Sequence, residues 1–287
     1  MSDSVQAFGL HIQSEVPLPL SDHEPSDVDE DVHVSEGRVR SPSGDSEVAS
    51  REGDVLLRID GVGAFRIGTR SVVVDRDDGV ADGALAAAIL GRVLAVLLYR
   101  RGYLVMHGSG AAVGGSGAAF VGSKRSGKSS VGAGLYARGH APVTDDIIVV
   151  RLGDRPSLVP SFPRMKLDEQ TLAALGLVDG GQETDGKRWH AVDDHFNGDP
   201  IPLDTVFVLE EHDVDGPTVD TLEPATAMER LLQHSASAEL VEATQTEERH
   251  FRECAQVADA ADVKRLYRPD DLSQLPELAR TVENALE

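Results

Sequence analysis

The run Gly122-Ser123-Lys124-Arg125-Ser126-Gly127-Lys128-Ser129, followed by Ser130, matches G-x-x-x-x-G-K-[ST] at every fixed position. Its residue types suit the holding of a chain of phosphates. Glycine lets the backbone turn tightly enough for successive N–H groups to point at one anion. The N-terminus of a following helix adds its positive end. Lys128 would then reach the β- and γ-phosphates, and the Ser129 hydroxyl would ligate Mg²⁺. The alternative is a structural glycine turn, which has no need of the lysine. The apolar lead-in GAAFV and the helix that begins at the loop's end supply the context the motif requires, so nucleotide binding is the expectation.

Asp145 and Asp146 adjoin at the start of the apolar run IIVV. Neighbours on a strand point to opposite faces, so one carboxylate could hold Mg²⁺ while the other accepts a hydroxyl proton. A Walker B Asp would instead end its strand, and a solvated turn is the plain alternative. His107, in MHGSG upstream of the loop, gains interest only from this combination, since a lone His is usually a core or surface residue. Phosphoryl transfer also benefits from cations near the γ-phosphate. Arg164 and Lys166 in PRMKL, and Lys187 in DGKRWH, are candidates, with ordinary surface charge as the alternative. Only five of the 27 basic residues are Lys, which raises Lys166 and Lys187 above background. His190, Asp193, Asp194 and His195 fit no zinc spacing, and Cys254 reads as a small buried hydrophobe in an amphipathic helix.

These residues need a scaffold. With 287 residues, 40% hydrophobic and 26% charged, the chain can bury a substantial core. Residues 5–20 read as one or two strands, and 21–54 as an acidic, partly mobile loop region. Residues 55–75 read as a hairpin-rich sheet, covered by a helix over 84–101. The apolar run 85–99 is short for a bilayer and carries a central Arg92, so a buried core helix is the reading and no membrane is expected. From residue 104 the pattern becomes strand, glycine turn and helix. Strands are expected at 104–113 and 117–122, a helix at 127–138, and strands at 143–152 and 205–209. Residues 156–163 and 180–202 read as turn and loop. Thr226 and Glu229 have capping-box spacing ahead of Leu231. Helices at 251–261 and 272–286 flank a strand-like VKRLYRP. The division expected is a small sheet-plus-helix domain at 1–103 and a nucleotide-binding domain at 104–287.

Lys and Arg total 27 against 49 Asp and Glu, a formal charge of -22. A grip on nucleic-acid backbones is therefore not expected. Such self-repulsion is screened by salt, which suits a salt-rich, halophilic cytoplasm. One cysteine leaves no internal disulfide framework. The opening MSDSVQAFGL has neither a basic nor an apolar leader region, so the expectation is a cytoplasmic chain without an export signal.

The order of an HG on one strand, GxxxxGKS, a helix ending ARGH and an acidic pair opening the next strand resembles the catalytic domain of HPr kinase/phosphorylase. His107 lies 15 residues before Gly122, and Asp145 lies 17 after Lys128. AFGLHIQSEVPLPL, PSFPRMKL, the GKR at Lys187 and LYRPDDLSQLPEL resemble a looser group of HPr-kinase-like proteins, and this likeness covers nearly the whole chain. The resemblance implies an α/β fold of the HPr-kinase/PEP-carboxykinase type, with a small β-rich N-terminal domain. It implies ATP and Mg²⁺ as cofactors, Asp145 with His107 as acid/base pair, Asp146 and Ser129 on the metal, and Lys128 on the phosphates. It further implies a homo-oligomer. Ser130 stands where that family typically has Glu. The expected activity is ATP-dependent phosphotransfer to a protein serine or a small-molecule hydroxyl. The alternatives are a non-catalytic nucleotide-binding regulator and a slow NTPase.

Overall fold

A computed structural model of the chain describes residues 3–18, 30–42, 47–177, 183–184, 186–192, 195–211 and 215–287. They form a mixed α/β fold. The first sheet contains β1 (Asp3–Ala7), β2 (Leu10–Ser14), β3 (Glu30–Glu36), β4 (Val48–Arg51), β5 (Asp54–Ile59), β6 (Gly63–Ile67) and β7 (Ser71–Arg76). Its order is β1-β2-β3-β7-β6-β5-β4. The stretch expected as loop thus supplies two strands, while residues 21–29 and 43–46 of it lie outside the described residues. β3 runs parallel between β2 and β7 with Val32 and Val34 buried. Two valines suffice to anchor so short a strand, and its acidic flanks dilute any longer periodicity.

Next come α1 (Asp82–Ala88), a π turn (Ile89–Val93) and α2 (Leu94–Arg100), together one 19-residue rod long and apolar enough to cross a membrane. Here more than half of that apolar stretch is buried inside the protein. Leu85, Ile89, Val93, Leu94 and Leu97 share one core with Leu10, Phe65 and Val72 of the first sheet and with Val105, Ile147 and Val149 beyond the rod. A helix apolar on all sides is stable when both sides are packed. Arg100 donates to the carbonyls of Ile67 and Gly53, and Arg101 to that of Thr69, docking the helix end on the first sheet.

The chain continues through β8 (Leu104–Val113), β9 (Ser116–Gly122), α3 (Lys128–Tyr136), β10 (Ala141–Thr144), β11 (Ile147–Arg151) and β12 (Ser157–Val159). It then forms β13 (Arg164–Leu167), α4 (Glu169–Leu175), β14 (Glu183–Thr184), β15 (Lys187–Ala191), β16 (Ile201–Glu211) and β17 (Thr218–Thr221). Last come α5 (Pro224–His234), α6 (Ala238–Thr244), α7 (Glu247–Ala260), β18 (Asp262–Arg268) and α8 (Leu275–Leu286). The second sheet runs β10-β8-β11-β12-β16-β18-β17, with β9 bonded to both β8 and β16. β9, β16 and β18 are parallel, so the loop after β9 opens at their carboxyl ends, where α/β sheets place ligands. On one face α3 and α8 pack Val131, Leu135 and Leu278 against Phe120 and Phe207. On the other, α5 and α7 pack Leu231, Cys254 and Val257 against Met106, Val121 and Val208.

Several local expectations are corrected. Residues 180–202 include β15, which joins β13 and β14 in a small third sheet. α5 starts at Pro224 behind Glu223, so Thr226 lies inside the helix; Pro in the first turn, not a capping box, sets the start. β16 extends the expected 205–209 strand at both ends: Pro202 pairs with Ser157 of β12, and the Asp204 carboxylate accepts from Gly117 N of β9. The strand expected over 143–152 is interrupted at Asp145 and Asp146.

α7 carries a buried polar cluster. Arg249 Nε lies 3.2 Å from Glu253 Oε1, and His250 Nε2 lies 2.9 Å from Ser235 Oγ. Burial pushes the Cys254 thiol up to about 11. Burial also pushes the Glu253 carboxyl up to about 7, with Arg249 opposing. A carboxyl that binds its proton more tightly when folded supports the fold at low pH and loses that support as pH rises through its folded value. Glu253→Gln should therefore melt with wild type near pH 4 and increasingly above it towards pH 8, in thermal scans across that range.

Gly108 marks the tightest crossing of β8. A Cβ there would lie 2.6 Å from Ile148 Cδ1 and closer still to the Phe120 carbonyl, which belongs to the paired backbone and cannot recede. Gly108→Ala should cost about 1–3 kcal/mol, read as a lower denaturant midpoint at unchanged slope.

Candidate functional site

Gly122 ends β9 with φ 157, and a Cβ on it would stand 2.6 Å from Ser126 Oγ. The chain then turns through Arg125 (φ 68) and Gly127 (φ 87) into α3. Ser123, Lys124 and Arg125 are exposed, and Ser126 is buried with its hydroxyl unpartnered. Lys128 is only 8% exposed. Its Nζ donates to the carbonyls of Gly122 (3.1 Å) and Ser123 (2.8 Å). Burial lowers its amine to about 8; Lys187 adds to the shift, while Asp146 and Asp145 oppose it. Ser109 Oγ of β8 donates to the Lys128 carbonyl at 2.7 Å, tying the start of α3 to the sheet. Ser130 Oγ lies 3.0 Å from Thr171 Oγ1 of α4.

The acid pair occupies a bend between β10 and β11 rather than a strand start. The ladder of β10 on β8 shifts by one residue between Pro142 and Thr144; from there Thr144 opposite Gly110 and Ile147 opposite His107 share one register, so the bend itself adds no further shift. The Thr144 hydroxyl donates across the bend to the Ile147 carbonyl, and Gly108 N donates to the Asp146 carbonyl at 3.3 Å. Asp146 has φ 70, a conformation Asp tolerates better than most residues. Asp145 is 5% exposed; its Oδ2 accepts from Lys166 N at 2.7 Å, and its Oδ1 has no hydrogen-bond partner. Burial raises its carboxyl, opposed by the Lys166 N–H, and the Ser129 hydroxyl lies near enough to act in the same lowering sense. Asp146 Oδ1 lies 3.8 Å from Nδ1 of His107, whose side chain is 60% exposed. Crowding by the surrounding protein lowers the His107 imidazole, Asp146 opposes, and Lys128 and Lys187 reinforce the lowering.

The pairing is therefore crossed relative to that implied by the resemblance. His107 meets Asp146 instead of Asp145, and the carboxylate beside Ser129 is Asp145 instead of Asp146. The left-handed turn at Asp146 is the cause: it swings the second carboxylate out beside β8 and leaves the first buried under the loop.

Of the outlying cations, Lys187 on β15 comes within electrostatic reach of Lys128, His107 and Asp145. Lys166 serves Asp145 through its backbone, while its Nζ sits 5.9 Å over the Trp189 ring. Arg164 lies two residues earlier on the same half-buried face of β13, whose Met165 and Leu167 pack with Ala133 of α3. His190 and His195 set their rings against Tyr136, and Asp193 and Asp194 lie outside the described residues. Among the described residues no group of three or more His, Cys, Asp or Glu side chains is arranged to hold a metal ion.

Two contributors escape sequence reading. Arg268, at the end of β18, is buried beneath the loop; its Nε donates to the Ser126 carbonyl at 2.6 Å and its Nη2 to that of Arg125 at 3.5 Å. A Cβ on Gly127 would stand 2.8 Å from that Nε, so glycine is required there for packing as well as for its φ. His234, the last residue of α5, lies within electrostatic reach of Lys128 and His107. Arg268 lies in LYRPDDLSQLPEL, a stretch that resembles the family but points to no role for it, and His234 lies in no motif; only the strand order brings them to the site.

No protein-family model matches the chain, and no curated protein matches it. Among solved structures it is similar to the HPr(Ser) kinase/phosphatase from Coxiella burnetii, with a TM-score of 0.36 and 15% identity, over 63% of this chain and 95% of that one.

Because Arg268 bonds two loop carbonyls, Arg268→Gln should loosen the loop. Amide hydrogen exchange at residues 123–127 is expected to speed about tenfold while that of β5 and β6 stays unchanged.

Proposed function

We propose that the chain binds ATP with Mg²⁺ at residues 122–129 and transfers the γ-phosphate to a hydroxyl, on a protein serine or a small molecule. The observation that carries this reading is the convergence on one rim of the buried Lys128 amine, the unpartnered Asp145 Oδ1 beside Ser129, and the more exposed Asp146–His107 pair. A hard cation fits Asp145 Oδ1 and the Ser129 hydroxyl, both oxygen donors, with phosphate oxygens and water completing its shell. Bound there, Mg²⁺ would neutralise charge on the phosphates.

The chain's own residues divide the remaining work. The loop amides and the start of α3 receive the phosphates. Lys128 exchanges its two carbonyl partners for phosphate oxygens, a small movement because its amine already lies in the loop. Asp146, partly open to solvent and backed by His107, is placed to accept the proton of an incoming hydroxyl. Lys187 adds positive potential at the γ-phosphate. This reading gives Asp145 to the metal and Asp146 to the acceptor, the reverse of the family-implied assignment.

The test is incubation with γ-labelled ATP, Mg²⁺ and cell lysate, with label counted on protein, on small molecules and as free phosphate. Asp146→Asn should keep nucleotide binding and lose transfer by about 10²–10⁴-fold. Asp145→Asn should lose the Mg²⁺ dependence of nucleotide binding. Label in free phosphate alone would replace this reading with an NTPase, and bound nucleotide without turnover would replace it with a regulatory binder.

A further inference from the structure

α5 ends on His234, and Ser235 leaves it in an extended conformation (φ -91, ψ -157). Ser235 forms an isolated antiparallel bridge with Met106 of β8. His107 and His234 each adjoin one of the two bridged residues, and His107 and Lys128 lie within electrostatic reach of His234. The bridge is well anchored: Ser235 Oγ meets the Leu232 carbonyl at 3.2 Å and His250 Nε2 at 2.9 Å.

The neighbouring cation of α5 is engaged elsewhere. Arg230 lies 3.4 Å from Glu210 and donates to Gln233 Oε1 at 2.8 Å. His234 is thus the group that α5 offers to the rim, half-buried, with Lys128, Arg230, Glu210 and His107 around it. Lys128, Lys187, His107 and His234 gather here, with Asp145, Asp146 and Glu210 supplying part of their counter-charge. A polyanion seated on the loop would favour the cationic forms further.

We propose that His234 donates an N–H to the terminal phosphate of the bound nucleotide, near His107, and so lets the site distinguish a nucleoside triphosphate from a diphosphate. The inference rests on the nucleotide reading above. It adds a phosphate-contacting residue that is more than 100 positions from the loop and belongs to no motif.

The experiment is calorimetric titration of wild type and His234→Ala, which leaves no side-chain donor, with Mg²⁺·AMP-PNP and with Mg²⁺·ADP, alongside the ³¹P resonance of the AMP-PNP terminal phosphate. The variant is expected to lose about tenfold in AMP-PNP affinity, as for a hydrogen bond to a charged group, and to shift the terminal ³¹P resonance. Its ADP affinity should stay that of wild type, which also reports an intact fold. Equal AMP-PNP affinity in the two proteins would overturn the assignment while leaving nucleotide binding in place. Parallel loss of both nucleotides would also overturn it, since His234 would then act on the loop instead of the terminal phosphate. Wild type that binds neither nucleotide would overturn the nucleotide reading, and this inference with it.

Discussion

The site is organised by the cost of keeping one ammonium group out of water. An ion withdrawn from solvent is tolerated only where polar groups replace its hydration. At Lys128 the replacements are two carbonyls of its own loop and two nearby carboxylates, while burial and the Lys187 charge lower the amine to about 8. The surrounding architecture follows from that. The loop must curl far enough for its carbonyls to face inward, which demands the positive φ of Arg125 and Gly127. The carbonyls of Ser126 and Arg125 then need a donor, and the buried Arg268 is that donor.

The same logic separates the two aspartates. Asp145, buried, shares its burden between a backbone N–H and the space beside Ser129. Asp146, beside a histidine, stays in contact with solvent. One backbone torsion divides a buried carboxylate from an accessible one, and the pairing of Thr144 with Gly110 and of Ile147 with His107 holds the bend against β8.

The sequence disclosed the parts of the site whose requirements are local. Glycine at fixed spacing, a lysine beside it, an apolar lead-in and a helix start all lie within a few residues, and Gly122 to Ser129 could be read directly. His107 and the acid pair were legible as residues but not as partners, because the sign of φ at Asp146 decides which carboxylate meets which neighbour. The roles of Arg268, which lies in the stretch LYRPDDLSQLPEL, and of His234 were not legible. The first arrives because β18 lies parallel to β16, and the second because α5 ends in a bridge to β8. Both are products of strand order, which no local window contains. The fold was legible in the same measure: the hairpins of β5 to β7 alternate clearly, whereas β3 has two valines among acids and takes its place from its neighbours.

The rod between Asp82 and Arg100 has a consequence for how the chain can be cut. Its apolar surface is shared by residues on either side of position 103, in one continuous core. A boundary there divides the polypeptide but not the cohesion of the molecule. A fragment starting at 104 would leave Val105, Ile147 and Val149 facing water, next to the bend that carries Asp145 and Asp146. Gly91, where the rod departs from helical geometry, would place any Cβ 3.7 Å from Asp146 Oδ2. The amino-terminal third thus abuts the acid pair at Gly91, and loosening it would be felt first there.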